Sequence, residues 1–210
     1  MQRFLALGSA LALAATVTVP ALAQQGNGAA TVIAGGTLAA KVATLRPNRY
    51  LWDDQGATQP VSIVVSIPDQ KAYVYRGETM VAASTVSTGK DGKDTPTGIF
   101  PILQKEEVHH SNLYDSAPMP YMQRLTWDGV AIHAGNNPGF PASHGCIRVP
   151  RAFAQRLFAE TKRGTPVLVT NASASEGFVL PEPYDAAKME AATHDANAEQ
   201  LNAILSDANS

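Results

Sequence analysis

The chain has 210 residues, 45% hydrophobic, 16% charged and 7% aromatic, with one cysteine and a formal net charge of −2. That hydrophobic content at so small a net charge excludes a wholly disordered chain. A single thiol excludes an internal disulfide framework and any zinc site built from several thiolates. A pI near 6.2 gives no general electrostatic reason to bind nucleic acid. The length allows one domain of ordinary size with tails, enough to bury roughly two-thirds of its unfolded surface.

The first segment reads as a secretory leader. Arg3 is a lone positive charge, Phe4 to Val17 is an apolar run, Pro20 breaks it, and Ala21-Leu22-Ala23 supplies the small-x-small cleavage pattern. An uncleaved anchor is the alternative, but Gly8, Ser9, Thr16, Thr18 and Pro20 dilute the run. Residues 1–23 are therefore expected to be removed, leaving a chain that starts near Gln24 in the periplasm or cell envelope, with no stable membrane span. Charge is uneven beyond that point: residues 24–170 carry +3 and residues 171–210 carry −6. A mildly basic body suits a polyanionic envelope polymer, and equally suits docking of its own acidic tail.

Residues 24–60 are rich in Gly, Ala, Gln and Asn and read as a linker, with at most a short ordered piece around Tyr50-Leu51-Trp52. From Val61 the texture changes. Val61 to Ile67 is a β-rich run, Pro68-Asp69-Gln70 a turn, and Lys71 to Tyr75 a second strand. Arg76-Gly77-Glu78 turns into a third strand, Thr79 to Val86, and Gly98 to Leu103 reads as another. Leu125 to Ile132 is a hairpin signal, because Asp128-Gly129 tolerates the positive φ angles of a tight turn. One principal helix starts at Pro150, carries Phe153, Leu157, Phe158 and Thr161 on one face, and stops at Gly164. Val167 to Val169 closes the body. The tail from Asn171 is Ala- and acid-rich, mobile or partly helical, with Asn197 to Leu205 as its candidate helix. The expected fold is a mainly β body of mixed sheets over residues 61–170, with one helix packed on it.

The chemistry concentrates in Ala131-Ile132-His133-Ala134-Gly135 and Ser143-His144-Gly145-Cys146-Ile147-Arg148. A free cysteine is often an inert core residue. Here Ser, His and Gly precede it and Arg follows two residues later, and these are poor core formers. If Val130 to His133 is a strand, Val130 and Ile132 face the core while Ala131 and His133 face away. If the chain stays extended from His144 to Arg148, then His144, Cys146 and Arg148 share a face. An imidazole near a thiol raises its thiolate fraction, which lets the pair form a thioester with a carbonyl substrate.

A His, a loop, then Ser143-His144-Gly145-Cys146 resembles the signature of the YkuD-type L,D-transpeptidases. Ser87-Thr88-Gly89, Thr95 to Phe100 and Met119-Pro120-Tyr121-Met122 resemble further segments of that family. The ten-residue loop between His133 and His144 is short beside some members, and Arg148 stands where others carry Asn. The resemblance implies a peptidoglycan tetrapeptide stem as donor and no cofactor. In it Cys146 attacks the carbonyl of the diamino acid, and His133 takes the proton and later activates an amine acceptor, either a second stem or an envelope protein. Backbone N–H groups around Gly145 and Cys146 receive the oxyanion, helped by His144, and Met119 and Tyr121 line the donor pocket.

Each residue has a plainer alternative. His144 reads as an orienting group rather than a second base, and Ser143 as a residue that holds the loop through backbone hydrogen bonds. Arg148 either grips a substrate carboxylate or pairs with an acidic residue. His109-His110 beside Glu106-Glu107 read as a solvated loop, not a metal cluster, and Trp127 and Tyr114 as packing residues. Rival activities are a carboxypeptidase or D-amino-acid exchange enzyme sharing the thioester, a metallopeptidase with His133, His144 and Cys146 as ligands, and a wall-binding protein without turnover.

Overall fold

The structure is a computed structural model, and it describes residues 31–32, 36–112 and 116–182. The expected leader, the 197–205 helix and Tyr114 lie outside the described residues. The described chain runs β1 (Thr31–Val32), α1 (Gly36–Ala43), β2 (Tyr50–Trp52), β3 (Val61–Ser66), β4 (Lys71–Arg76), β5 (Thr79–Thr85), β6 (Gly98–Pro101), β7 (Gln104–Glu106), β8 (Met122–Arg124), β9 (Ala131–Ala134), β10 (Ile147–Val149), α2 (Arg151–Glu160), β11 (Pro166–Thr170) and β12 (Phe178–Val179). It is mainly β, as expected, with α2 as its principal helix.

Two mixed sheets carry the body. One has six strands in the order β2-β5-β4-β3-β11-β6, the other four in the order β10-β9-β8-β7. Their facing sides form the main core. Ile63, Val65, Val74, Val167 and Val169 come from the larger sheet, and Ile132, Ala134, Ile147 and Val149 from the smaller. Helix α2 adds Phe153, Ala154 and Leu157. Pro150 is its N-cap, and Thr161 ends it by donating its N–H to Leu157 O.

The larger sheet is covered on its other side too, which is why all six residues of β3 are buried. Val64, Tyr73, Tyr75, Met80 and Ala83 pack there with Val42, Leu38 and Ala39 of α1 and with Phe178. For Gly36–Ala43 this departs from the linker reading, which allowed an ordered piece only around Tyr50-Leu51-Trp52. Leu38, Ala39 and Val42 fall on one face at helical spacing, and that short apolar stripe roofs the sheet. The chain after Asn171 likewise returns to pair β12 with β1.

The smaller sheet sets up the site. β8 and β9 are antiparallel, with Arg124 opposite Ala131 and Gln123 opposite Ile132. The hairpin arms are shorter than the sequence suggested: β8 ends at Arg124, and Leu125 N–H to Val130 O (2.8 Å) closes a loop in which Gly129 takes φ +101°. β9 and β10 are parallel, with Ile147 beside Ile132 and Arg148 beside His133. A parallel pair needs a crossover of about a dozen residues to carry the chain back. Residues 135–146 are that crossover, and Ser143-His144-Gly145-Cys146 is its last turn.

Candidate active site

Strand alternation sorts the side chains into two rows on the outer face of the smaller sheet. Extending the β9–β10 register by one residue places Cys146 beside Ala131, itself opposite Arg124, which is opposite Gln104 on β7. The next row runs Arg148, His133, Met122, Glu106. Ile132, Ala134, Ile147 and Val149 point the other way into the core. Cys146 and His133 are thus diagonal neighbours on adjacent strands, about 8 Å apart at Cα.

The turn before Cys146 is fastened by its own serine. Ser143 Oγ donates to Cys146 O (2.5 Å) and accepts the Gly145 N–H (3.1 Å). The sequence offered the Gly145 N–H as an oxyanion donor; in this structure that N–H donates to Ser143 Oγ. Gly145 sits at φ +113°, a conformation that disfavours any side chain.

The Ser87-Thr88-Gly89 segment laces the turn from outside. Ser87 and Arg148 exchange backbone hydrogen bonds of 2.9 and 3.0 Å, Thr88 O accepts from both Ala142 and Ser143, and Lys90 N–H donates to Ser143 O. Thr95 ties the same pieces together: its Oγ1 accepts from Gly89 N–H (2.9 Å) and donates to Gly145 O (2.8 Å). Gly89 has no room for a side chain, since a Cβ there would lie 1.9 Å from Lys93 O. These segments hold the turn, and none of Ser87, Thr88, Gly89 and Thr95 lines the cleft beside it.

His133 is 6% exposed. Its Nδ1 lies 2.9 Å from Ala134 O, a group that only accepts, so Nδ1 carries the proton and Nε2 is the basic nitrogen. Burial pushes the imidazole pKa down to about 4, with Arg148 and His109 adding to the fall and the Ala134 bond opposing it. Cys146 is half-buried, and its Sγ lies 3.4 Å from Gly129 O. Burial raises the thiol pKa; a backbone hydrogen bond from Ala131 and the charges of Arg148 and Arg124 oppose that rise. Both groups are therefore neutral at pH 7 in the resting site.

Cys146, His133, His144, Arg148 and Met119 all line one cleft of about 830 Å³. Tyr121 does not. Its φ of +56° breaks the alternation, so that Met119 and Met122 share the cleft side while Tyr121 enters the core and meets Phe158 edge-on at 5.9 Å. Arg148 donates to Ala142 O (3.3 Å), and no carboxylate pairs with it among the described residues. His144 is exposed at the cleft.

Several lining residues escaped the sequence reading. Trp127, expected to be packed, is 38% exposed there, with Arg124 stacked 5.9 Å from its ring. His109, expected in a solvated loop, lines the cleft with Nδ1 2.5 Å from Glu106 Oε2. Arg124 and Arg151 line it too, and Asp128 is the one acidic residue there among the described residues. The pairing of Arg124 with Ala131 was legible in principle from the hairpin, once its loop was known to span residues 125–130. Among the described residues, no three of His, Cys, Asp and Glu are placed to share a metal ion, and no helix is long and apolar enough to cross a membrane.

The described chain is thus a mixed β-sandwich whose smaller sheet presents a thiol, an imidazole and a guanidinium to one cleft. Residues 60–169 match the family model of the YkuD L,D-transpeptidase catalytic domain, more than half of the chain, and the protein belongs to that family. A Bacillus licheniformis protein that bears the name L,D-transpeptidase YkuD is 28% identical over 122 residues, covering 54% of this chain and 67% of that one. The L,D-transpeptidase from Mycobacterium smegmatis matches with a TM-score of 0.50 at 25% identity, over 52% of this chain and 58% of that one. One from Mycobacterium tuberculosis gives a TM-score of 0.50 at 23% identity over 52% and 57%, a likeness of fold. The match spans a little over half the length of these solved chains.

Proposed function

We propose that the protein is an exported peptidoglycan L,D-transpeptidase in which Cys146 is the nucleophile and His133 the general base. The observation that carries this reading is the neutral pair itself: a thiol and an imidazole with a free Nε2, diagonal on adjacent strands and open to one cationic cleft. As Sγ bonds to the carbonyl carbon of the diamino acid in a tetrapeptide stem, its proton passes to His133 Nε2. Proton and attack travel together, because burial opposes a free thiolate. The tetrahedral oxyanion is received by the backbone N–H groups of His144 and Cys146, since those of Ser143 and Gly145 already donate to Thr88 O and Ser143 Oγ. Collapse expels D-alanine, whose amine takes the proton from Nε2, and leaves a thioester on Cys146.

In the second half an acceptor amine gives a proton to Nε2 and attacks the thioester, and Cys146 leaves as the thiol. Arg148, which has no carboxylate partner among the described residues, is suited to the terminal carboxylate of the leaving D-alanine. The leader pattern of residues 1–23 supports export to the periplasm, where this polymer lies. Incubation of the mature chain with purified tetrapeptide muropeptides, read by mass spectrometry beside Cys146→Ala, tests the reading. Cross-linked dimers made only by wild type support it. Hydrolysed tripeptide alone assigns the thioester to water and makes the protein a carboxypeptidase.

A further inference from the structure

The proposed mechanism uses Arg148 and leaves a second arginine unexplained. Arg124 lies in the same row as Cys146 with only Ala131 between them. Two strand spacings separate the rows' ends, about 10 Å at Cα. The intervening residue is the smallest that keeps a Cβ, so the floor from thiol to guanidinium is low. Arg124 is also held in place: Nε donates to Gln104 Oε1 at 2.8 Å, and the guanidinium stacks on Trp127. One nitrogen is used, the terminal nitrogens have no carboxylate among the described residues, and the side chain lines the cleft. Its charge is felt at Sγ, as is that of Arg148.

From this arrangement we infer that Arg124 is a specificity residue: it binds a carboxylate at the end of the side chain of the residue that Cys146 attacks, and so selects donor stems built on a diamino-dicarboxylic acid. The inference rests on the transpeptidase reading for its substrate. In an extended diamino-dicarboxylic acid the far carboxylate lies about 7 Å from the attacked carbonyl, and a hydrogen bond of about 3 Å completes the span to Arg124. Arg148 then reads the leaving residue's carboxylate and Arg124 the retained one, on opposite sides of the scissile bond. A stem with lysine at that position, or with the far carboxylate amidated, leaves the Arg124 guanidinium desolvated without a partner.

The test compares three tetrapeptide stems that differ only at the third residue: diaminopimelate, its side-chain amide, and lysine. Thioester formation on Cys146 is followed by intact mass without added acceptor, which separates a donor carboxylate from an acceptor one. The expected result for wild type is an apparent second-order rate constant of thioester formation about 10- to 100-fold higher for the free acid than for the other two stems. In Arg124→Gln that ratio collapses to within about threefold, and Arg124→Lys keeps part of it. Three results overturn the inference: no discrimination by wild type, an equal loss on all stems in Arg124→Gln, or discrimination that appears only once an acceptor is added. If wild type forms no thioester on any stem, the transpeptidase reading fails by itself. Calorimetric binding of the same stems to Cys146→Ala, with and without Arg124→Gln, then decides: a free-acid preference that needs Arg124 upholds the inference, and equal binding ends it.

Discussion

Alkylation of Cys146 by iodoacetamide probes the resting site directly, because the chain has no other thiol to compete. The perturbation is pH. Burial lifts the Cys146 pKa from an ordinary value of 9.0, and the opposing charges of Arg148 and Arg124 do not cancel that lift. Burial also takes His133 down to about 4, so its ring is not an imidazolium that could hold a thiolate at neutral pH. With a thiol pKa above 9.0, the thiolate fraction at pH 7 is under about 1%. The alkylation rate should therefore climb about tenfold per pH unit from about pH 7 to pH 9, with no shoulder near neutrality. The assay is intact mass of the alkylated chain, sampled over time at each pH. A plateau from about pH 5 to pH 8 would mean a resting thiolate–imidazolium pair and would refute the reasoning from burial.

His133 gives a second pH signature. Its pKa falls from 6.5 to about 4 on folding, so the unfolded chain binds the extra proton between those values, and the group's contribution to stability is lost as pH drops through that window. Chemical denaturation should show about 3 kcal/mol less stability at pH 4 than at pH 6.5 from this group, a difference that His133→Gln removes; an unchanged pH slope in that variant counts against the assignment. Ser143→Ala leaves the Gly145 N–H and the Cys146 carbonyl without their shared partner, at a cost of about 1–3 kcal/mol. Calorimetric melting should show a lowered Tm together with slower acylation, and full acylation at a normal Tm would show that the turn does not depend on that hydroxyl.

The strands around the site were legible because their alternation is regular. Ile132 and Ala134 against His133, and Ile147 and Val149 against Arg148, sort themselves by period two, and the sheet obeys. What the sequence hid follows from breaks in that period or from distance along the chain. Tyr121 left the cleft because one positive φ reverses its side, and nothing in the residue type announces it. Helix α1 is only eight residues, too short to show a sustained repeat, and its reason to fold is the back of a sheet that forms later in the chain. Arg124 reaches the cleft through the β8–β9 pairing, whose register follows from the hairpin only once its loop is known to span residues 125–130; Trp127 sits in that loop, and His109 lies in the connection between β7 and β8. The Ser87-Thr88-Gly89 and Thr95 segments looked like signature residues, and their work is to brace the 143–146 turn.

The central claim is that the sulfur of residue 146 carries the acyl group. A single-turnover mixture of mature protein with purified tetrapeptide stem, read by intact mass and by released D-alanine, tests it most directly. The account predicts a tripeptide adduct on Cys146 formed in step with D-alanine release, and neither from Cys146→Ala. Release of D-alanine by Cys146→Ala at the wild-type rate would contradict it.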